Sequence, residues 1–245
     1  MSLIFVIYTH SSYQDVFDIS IKRHEKFSNI FNKIILSNLI MNYKYQHILY
    51  NDNEPYATRL YNCLCKLSNS FEYILLSHDW AILYDYIDKN KINNVIEIMK
   101  KHDIHQLRLW RNGISNKTFE KLLNNNIETN VDEKYIYHIP DDSYFYTVQP
   151  TIWNINILKN ILYNHLQLTY NQIEVGVNDY IKQFNNCFYY INEDKFLNSE
   201  YFYKSIIYPH IHAMSNGKWI YNDNLPYSKE LIDEYNIDIN IRNFI

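Results

Sequence analysis

His78 and Asp79 stand between a short apolar run, residues 73–76 (Tyr-Ile-Leu-Leu), and Trp80. An apolar run of that length bounded by polar residues predicts a buried strand. In an open α/β sheet, ligands bind in the crevice beyond the carboxyl ends of the strands, so a His-Asp pair placed there is a site candidate. Two plainer roles fit the same residues: Asp79 as the cap of a following helical turn and His78 as a satisfied histidine near the core. A second polar cluster, Thr9-His10-Ser11-Ser12-Tyr13-Gln14-Asp15, follows the apolar run 3–8 in the same way. Further along, His210 and His212 alternate as a strand alternates, which places both on one face and permits a metal pair. The alternative is two polar residues on a strand near the surface.

The elements that must position these groups are legible as alternating strand and helix. The continuous apolar run at 3–8 reads as a strand of a parallel sheet covered on both faces, and 33–37, 46–50 and 73–76 read as further short strands. Phe17, Ile21 and Phe27 mark a first helix. Leu60, Leu64 and Leu67 mark a second behind Pro55, with Arg59 beside that apolar face. Ile92, Val95, Ile96 and Met99 follow the helical i, i+3, i+4, i+7 spacing and lead into a strand at 106–110. The remainder is less regular. Strands are expected at 135–139 and 144–148 around the turn signal Pro140-Asp141-Asp142, and again at 187–191, with a helix through Ile157, Leu158, Ile161, Leu162 and His165. Residues 166–178 read as a loop carrying Glu174 beside Gly176, 179–184 as a short helix starting at Asp179, and the chain beyond Tyr208 as tail-like but aromatic. The division expected is one domain over 1–245, with halves 1–110 and 111–245.

Composition excludes several function classes. The chain has three glycines, Gly113, Gly176 and Gly217, in 245 residues, from which no dinucleotide fingerprint, P-loop or nucleophile elbow can be written. A phosphate must then be held by side chains, helix N-termini or a metal. With 23 basic and 27 acidic residues the formal charge is -4, so no global field attracts nucleic acid. Cys63, Cys65 and Cys187 lack zinc spacing and favour a reducing compartment. The N-terminal apolar run is strand-length without a basic leader, and no uncharged run is long enough to span a bilayer, so a soluble cytoplasmic protein is expected. The 25 tyrosines accompany abundant Asn, Ile and Lys, so a tyrosine by itself marks nothing.

Over residues 1–88 and 145–242 the chain resembles a GT-A type glycosyltransferase family known mainly from large DNA viruses and bacterial polysaccharide loci. The resemblance rests on the Thr9 to Asp15 cluster, the Arg59 helix, and His78-Asp79 with Ile82-Leu83-Tyr84-Asp85 behind it. It rests also on Gln149-Pro150-Thr151-Ile152-Trp153, the Glu174 segment and Gly217-Lys218-Trp219. It implies an α/β GT-A-like fold, with a Rossmann-like nucleotide-binding half, a mixed sheet and an acceptor-side half. It implies as well a viral protein, in which case the cytoplasm is the host's.

The activity implied is sugar transfer from a nucleotide-diphosphate-sugar donor to a glycan, glycoprotein or other hydroxyl acceptor. By the resemblance Thr9, His10, Ser11, Tyr13 and Asp15 hold the nucleotide, the alternative being N-capping by Thr9 or Ser12 with Tyr13 as a packing residue. Arg59 reaches the diphosphate, or else pairs with Glu54 or a neighbouring acid. His78 and Asp79 face the donor. Glu174, then Asp179, are candidates for taking the acceptor proton, or are solvated loop acids. Mn²⁺ or Mg²⁺ would lie on Asp79, with His210 or His212 as a further ligand. The family pattern at the fourth strand is His-Glu-Asp, and here Trp80 stands at the second acid, so a metal-independent mechanism, or a catalytically inactive glycan- or protein-binding relative, is the alternative implied.

Overall fold

The computed structural model describes residues 3–41, 44–67, 70–109, 136–139, 144–184, 188–191, 202–203, 205, 207–220 and 228–243. The first strand, β1 (Leu3–Tyr8), is buried along its whole length. Its side chains alternate between two covered faces. Ile4, Val6 and Tyr8 join Leu60, Leu64, Leu158 and Ile161 on one side, while Leu3 and Phe5 meet Ile92, Ile96 and Met99 on the other. Fully burying each such aliphatic side chain contributes about 1.5–3 kcal/mol, which is why an uninterrupted apolar run settles as a central strand.

β1 pairs in parallel with β2 (Lys33–Ser37) and with β4 (Tyr73–His78), and β2 pairs in parallel with β3 (Gln46–Leu49). The helices between these strands are α1 (Gln14–Phe27) and α2 (Tyr56–Cys65). Beyond β4 the chain forms β5 (Ala81–Leu83) and α3 (Lys89–Lys101), whose first turn is capped by the Asp88 side chain. The sheet then becomes mixed. β8 (Thr151–Asn154) runs antiparallel between β4 and β6 (Gln106–Arg108), and β9 (Phe188–Ile191) and β7 (Ile136–His138) complete an eight-stranded order β3-β2-β1-β4-β8-β6-β9-β7. The architecture is therefore α/β, with a Rossmann-like parallel half continued by a mixed half, as the GT-A resemblance implies.

Several local expectations change. The segment after Gln149-Pro150 is the strand β8, packed around the buried Trp153, before the helix α4 (Ile155–Tyr163) that Asn154 caps. The strand expected at 144–148 is not formed, because side chains take the backbone groups a ladder would use. Arg108 donates to the Tyr144 carbonyl, Asn178 accepts from the Phe145 N–H at 2.8 Å, and Glu174 accepts from the Val148 N–H at 2.8 Å. The segment expected as a loop around Glu174 is the helix α5 (Tyr170–Gly176), started by a capping box between Thr169 and Gln172. The short helix α6 (Asn178–Ile181) follows. Trp110, Tyr135, the Pro140-Asp141-Asp142 turn and Cys187 lie outside the described residues.

The described residues beyond Tyr208 form strands and helices rather than a tail. β11 (His210–His212) pairs antiparallel with β5 and with β10 (Phe202–Tyr203). β12 (Met214–Ser215) and β13 (Lys218–Trp219) form a hairpin whose turn residues, Asn216 and Gly217, have φ of 50° and 77°. Positive φ at both central positions is the demand an Asn-Gly pair meets at least cost. The helices α7 (Ser228–Tyr235) and α8 (Ile239–Arg242) then return to α1. There Arg23, buried under α7, pairs with Glu234 at 2.6 Å and Glu230 at 3.4 Å. No helix among the described residues is long and apolar enough to cross a membrane.

Candidate functional site

The parallel register of β1 and β4 ends with Tyr8 opposite His78, so the next residues of each strand, Thr9 and Asp79, emerge side by side at the carboxyl edge. The Asp79 N–H donates to the Tyr8 carbonyl at 3.2 Å, and the Thr9 hydroxyl donates to Asp79 Oδ2 at 2.6 Å. Asp79 is 6% exposed, and burial pushes its pKa up to about 7, against the opposing effect of the Thr9 hydrogen bond. No helix follows Asp79. The chain turns through Trp80 into β5, so Asp79 caps nothing.

These residues form the floor of a cleft of about 560 Å³. One wall is aromatic. Tyr8 and Tyr50 stack with ring centres 5.0 Å apart, the Tyr50 hydroxyl donates to the Thr9 carbonyl at 2.7 Å, and the Tyr56 hydroxyl lies 3.0 Å from His78 Nε2. Burial holds the His78 pKa down at about 4, so its ring is neutral above mildly acidic pH. The Trp80 indole stacks on the His212 ring at 4.3 Å between centres and lies near-parallel to the His78 ring at 5.9 Å, and its Nε1–H donates to Tyr170 at 3.3 Å.

The rim carries the charge. Arg59 Nε donates to the Glu54 backbone carbonyl at 2.6 Å, its guanidinium lies 5.4 Å from the centre of the Tyr50 ring, and Nη1 reaches Asp52 at 2.9 Å. The acid it pairs with is thus Asp52, not Glu54. His10 reaches the other oxygen of Asp52 at 2.8 Å through Nε2. The Ser12 N–H donates to His10 Nδ1 at 3.0 Å, which leaves Nε2 as the protonated nitrogen. His10 itself thereby caps the turn Ser11–Tyr13, and neither Thr9 nor Ser12 does.

Of the residues singled out in the sequence, Thr9, His10, Tyr13, Arg59, His78, Asp79 and His212 line the cleft. Five others lie outside its lining. Ser11 exchanges hydrogen bonds with Asn38. Asp15 forms a two-pronged pair with Arg242 at 2.6 and 2.7 Å, and that guanidinium stacks 4.6 Å from the centre of the Tyr13 ring. Glu174 is engaged with the Val148 N–H, and the fully exposed Asp179 side chain lies 3.8 Å from Lys182. His210 is buried with Nδ1 2.7 Å from the Tyr208 carbonyl.

Tyr50, Tyr56, Tyr170 and Asp52 escaped the sequence reading. Among 25 tyrosines nothing in residue type distinguishes these three. A usable signal existed for Tyr50, which directly follows β3 at the same sheet edge as Thr9 and Asp79.

Among the described residues no three His, Cys, Asp or Glu side chains gather as a metal site. Asp79 and His212 are the two candidate ligands that line the cleft. One carboxyl already bonded to Thr9 and one imidazole fall short of the oxygen-rich shell a resident Mg²⁺ or Mn²⁺ takes, so no step is routed through a cation.

Fold and cleft together define an α/β protein with a cleft beyond the carboxyl ends of parallel strands. No family model matches the chain, and no curated protein is similar to it in sequence. Among solved structures, 4-diphosphocytidyl-2C-methyl-D-erythritol synthase from Anaerococcus prevotii is similar over 78% of this chain and 88% of its own, at 9% identity and TM-score 0.39. S. aureus TarS is similar over 79% of this chain and 37% of its own, at 9% identity and TM-score 0.43. Mouse xyloside xylosyltransferase 1 in its apo form is similar over 78% and 85%, at 8% identity and TM-score 0.42. Values this low leave the functional reading to the chain's own residues.

Proposed function

We propose that this protein is a glycosyltransferase that moves a sugar from a nucleotide-diphosphate donor to a hydroxyl of a glycan or glycoprotein. The observation that carries the reading is the pairing of Thr9 with Asp79 on the floor of a cleft at the carboxyl edge of the parallel strands, with aromatic walls and an arginine on the rim. A nucleoside suits the aromatic wall of Tyr8, Tyr50 and Tyr56, where the rings offer apolar contact and Thr9 and His10 offer polar groups. The diphosphate suits the rim, where Arg59 presents a guanidinium fork and His10 an N–H. The sugar then lies over Asp79.

Transfer breaks the bond between the anomeric carbon and the diphosphate oxygen while the acceptor oxygen bonds to that carbon and gives up its proton. Asp79 is the one carboxylate among the described cleft-lining residues, and a carboxylate whose pKa is pushed up to about 7 is basic enough to take that proton near neutral pH. Arg59 opposes the charge that develops on the departing diphosphate.

A second reading, a catalytically inactive module that binds a glycan or a protein, is favoured by Trp80. It fills the place of the family's second acid and stacks on His212, with His78 beside it. Thermal stabilisation by a panel of nucleoside diphosphates and their sugar conjugates, followed by donor-turnover assays, separates the two readings. Stabilisation with turnover supports the transferase, whereas the glycan- or protein-binding module predicts no nucleotide-dependent stabilisation, an outcome that sinks both the donor site and the enzyme.

A further inference from the structure

Asp52 occupies the two donors on the rim that a phosphate group would use. Arg59 and His10 each give a hydrogen bond to a different oxygen of this carboxylate, at 2.9 and 2.8 Å. Both donors are held in place by other partners. The Glu54 carbonyl and the Tyr50 ring orient Arg59, and the Ser12 backbone N–H with the Ser12 hydroxyl, 2.7 Å from Nδ1, orients His10. Removing the carboxylate therefore leaves a guanidinium N–H and an imidazole N–H still converging on one point. The Asp52 side chain is 46% exposed. Its hydrogen bonds run to His10 and Arg59, and an ion pair so open to water is worth about 0–1 kcal/mol. A carboxylate also has the spacing of two oxygens of a phosphate, and the charged guanidinium binds either.

We propose that Asp52 is a built-in, displaceable occupant of the phosphate site: a ligand's pyrophosphate group takes its place between Arg59 and His10, and the carboxylate swings out to water. The proposal deepens the donor-site reading and rests on it for the ligand's identity, because the shared chemistry is a pyrophosphate group, whether carried on a nucleoside or free. Its consequence is a site whose affinity is held down by its own counter-ion. Small anions gain little on displacing Asp52, whereas a ligand that also reaches the aromatic wall gains enough to do so.

The test is calorimetric titration of the full chain and of its Asp52→Asn and Asp52→Asn/Arg59→Gln variants with inorganic pyrophosphate and, separately, with uridine and guanosine diphosphates. Circular dichroism melts check that each variant is folded. Neutralising Asp52 removes one repelling charge from beside the site and is expected to tighten pyrophosphate binding about tenfold. The added Arg59→Gln change is expected to remove the gain. Unchanged or weaker pyrophosphate binding in Asp52→Asn, or no binding by either probe to either form, overturns the proposal. Tighter pyrophosphate binding with no affinity for either nucleoside diphosphate keeps the exchange and assigns it to free phosphates, at the expense of these two donors. Nucleoside diphosphate binding to the unaltered chain that Asp52→Asn does not strengthen keeps the donor site and overturns the exchange.

Discussion

Thr9 and Asp79 are 70 residues apart in the chain and 2.6 Å apart in space, the hydroxyl of one donating to the carboxyl of the other on the cleft floor. That hydrogen bond favours the ionised carboxyl, yet burial outweighs it and the pKa rises to about 7. A side chain held against its preferred ionisation state at a ligand cleft has a cost to stability that a purely structural residue would not need.

Asp79→Asn should therefore separate stability from function. The folded carboxyl, with a pKa near 7, binds a proton more tightly than the unfolded one, near 3.8, so stability falls as pH rises between those values and the full penalty is present above about 7. Removing the charge should raise the stability at pH 8 by on the order of 2–4 kcal/mol, roughly 5–15 °C in melting temperature, with no gain near pH 4. Sugar transfer should be lost in the same variant. Equal melting temperatures at pH 8, or full turnover, would remove this role from Asp79.

Acid should destabilise the protein through its buried histidines. Burial holds His24 and His210 down at about 3 and His78 and His212 at about 4, all below the ordinary 6.5. For such groups the unfolded chain binds protons first, so stability is fully present above about 6.5 and is lost as pH falls from there towards 4 and 3. Asp79 works in the opposite direction over part of that range, one group against four. Melting temperature should hold between pH 6.5 and 8 apart from the Asp79 effect and drop steeply by pH 4.5. A flat profile down to that pH would mean the rings titrate freely.

Arg242 should matter to the cleft although it is not part of its lining. It grips both oxygens of Asp15 and stacks on Tyr13, which forms the cleft wall beside the Gly217 turn. Arg242→Lys keeps the charge but loses the planar fork, at a cost of about 1–2 kcal/mol in stability. Nucleoside diphosphate affinity should weaken several-fold while the chemical step, measured in single-turnover assays, stays near its original rate. An unchanged affinity would show that Tyr13 is held by its other neighbours.

Trp80→Ala should weaken the fold by about 2–4 kcal/mol, by removing the indole that stacks on the His212 ring and lies beside the His78 ring. Trp80→Phe should recover much of that loss but not the hydrogen bond to Tyr170. Denaturant melts of the two variants check the order. A Trp80→Ala variant as stable as the parent would mean the indole is not a packing element.

Gly217→Ala addresses the hairpin that closes the same wall. Its φ of 77° is one that a side chain adopts only with strain, and a Cβ there would meet the Tyr13 hydroxyl at an ordinary 3.6 Å. The expected loss is about 1–2 kcal/mol, from backbone strain rather than from a clash, read as a lowered denaturation midpoint. No loss would place the strain elsewhere in the turn.

What the sequence determined by itself are the features written in local pattern. The apolar runs of β1, β2 and β4 declared a covered parallel sheet, and the spacing of Ile92, Val95, Ile96 and Met99 declared α3. Because two strands ended in polar residues, Thr9 and Asp79 were each legible at a strand end, and the pairing of β1 with β4 made them neighbours. Only the tertiary structure decided the rest, since it turned on pairings between distant segments. Residues 151–154 became a strand because β4 and β6 left a slot for an antiparallel partner around Trp153. Glu174 was drawn away from solvent by the Val148 N–H, His210 into the interior, and Asp15 to Arg242 across 227 positions. Which of the 25 tyrosines border the cleft, and which acid Arg59 meets, followed in the same way. A side chain's partner is set by where other strands and helices bring their polar groups, and residue type and spacing along one chain do not encode that.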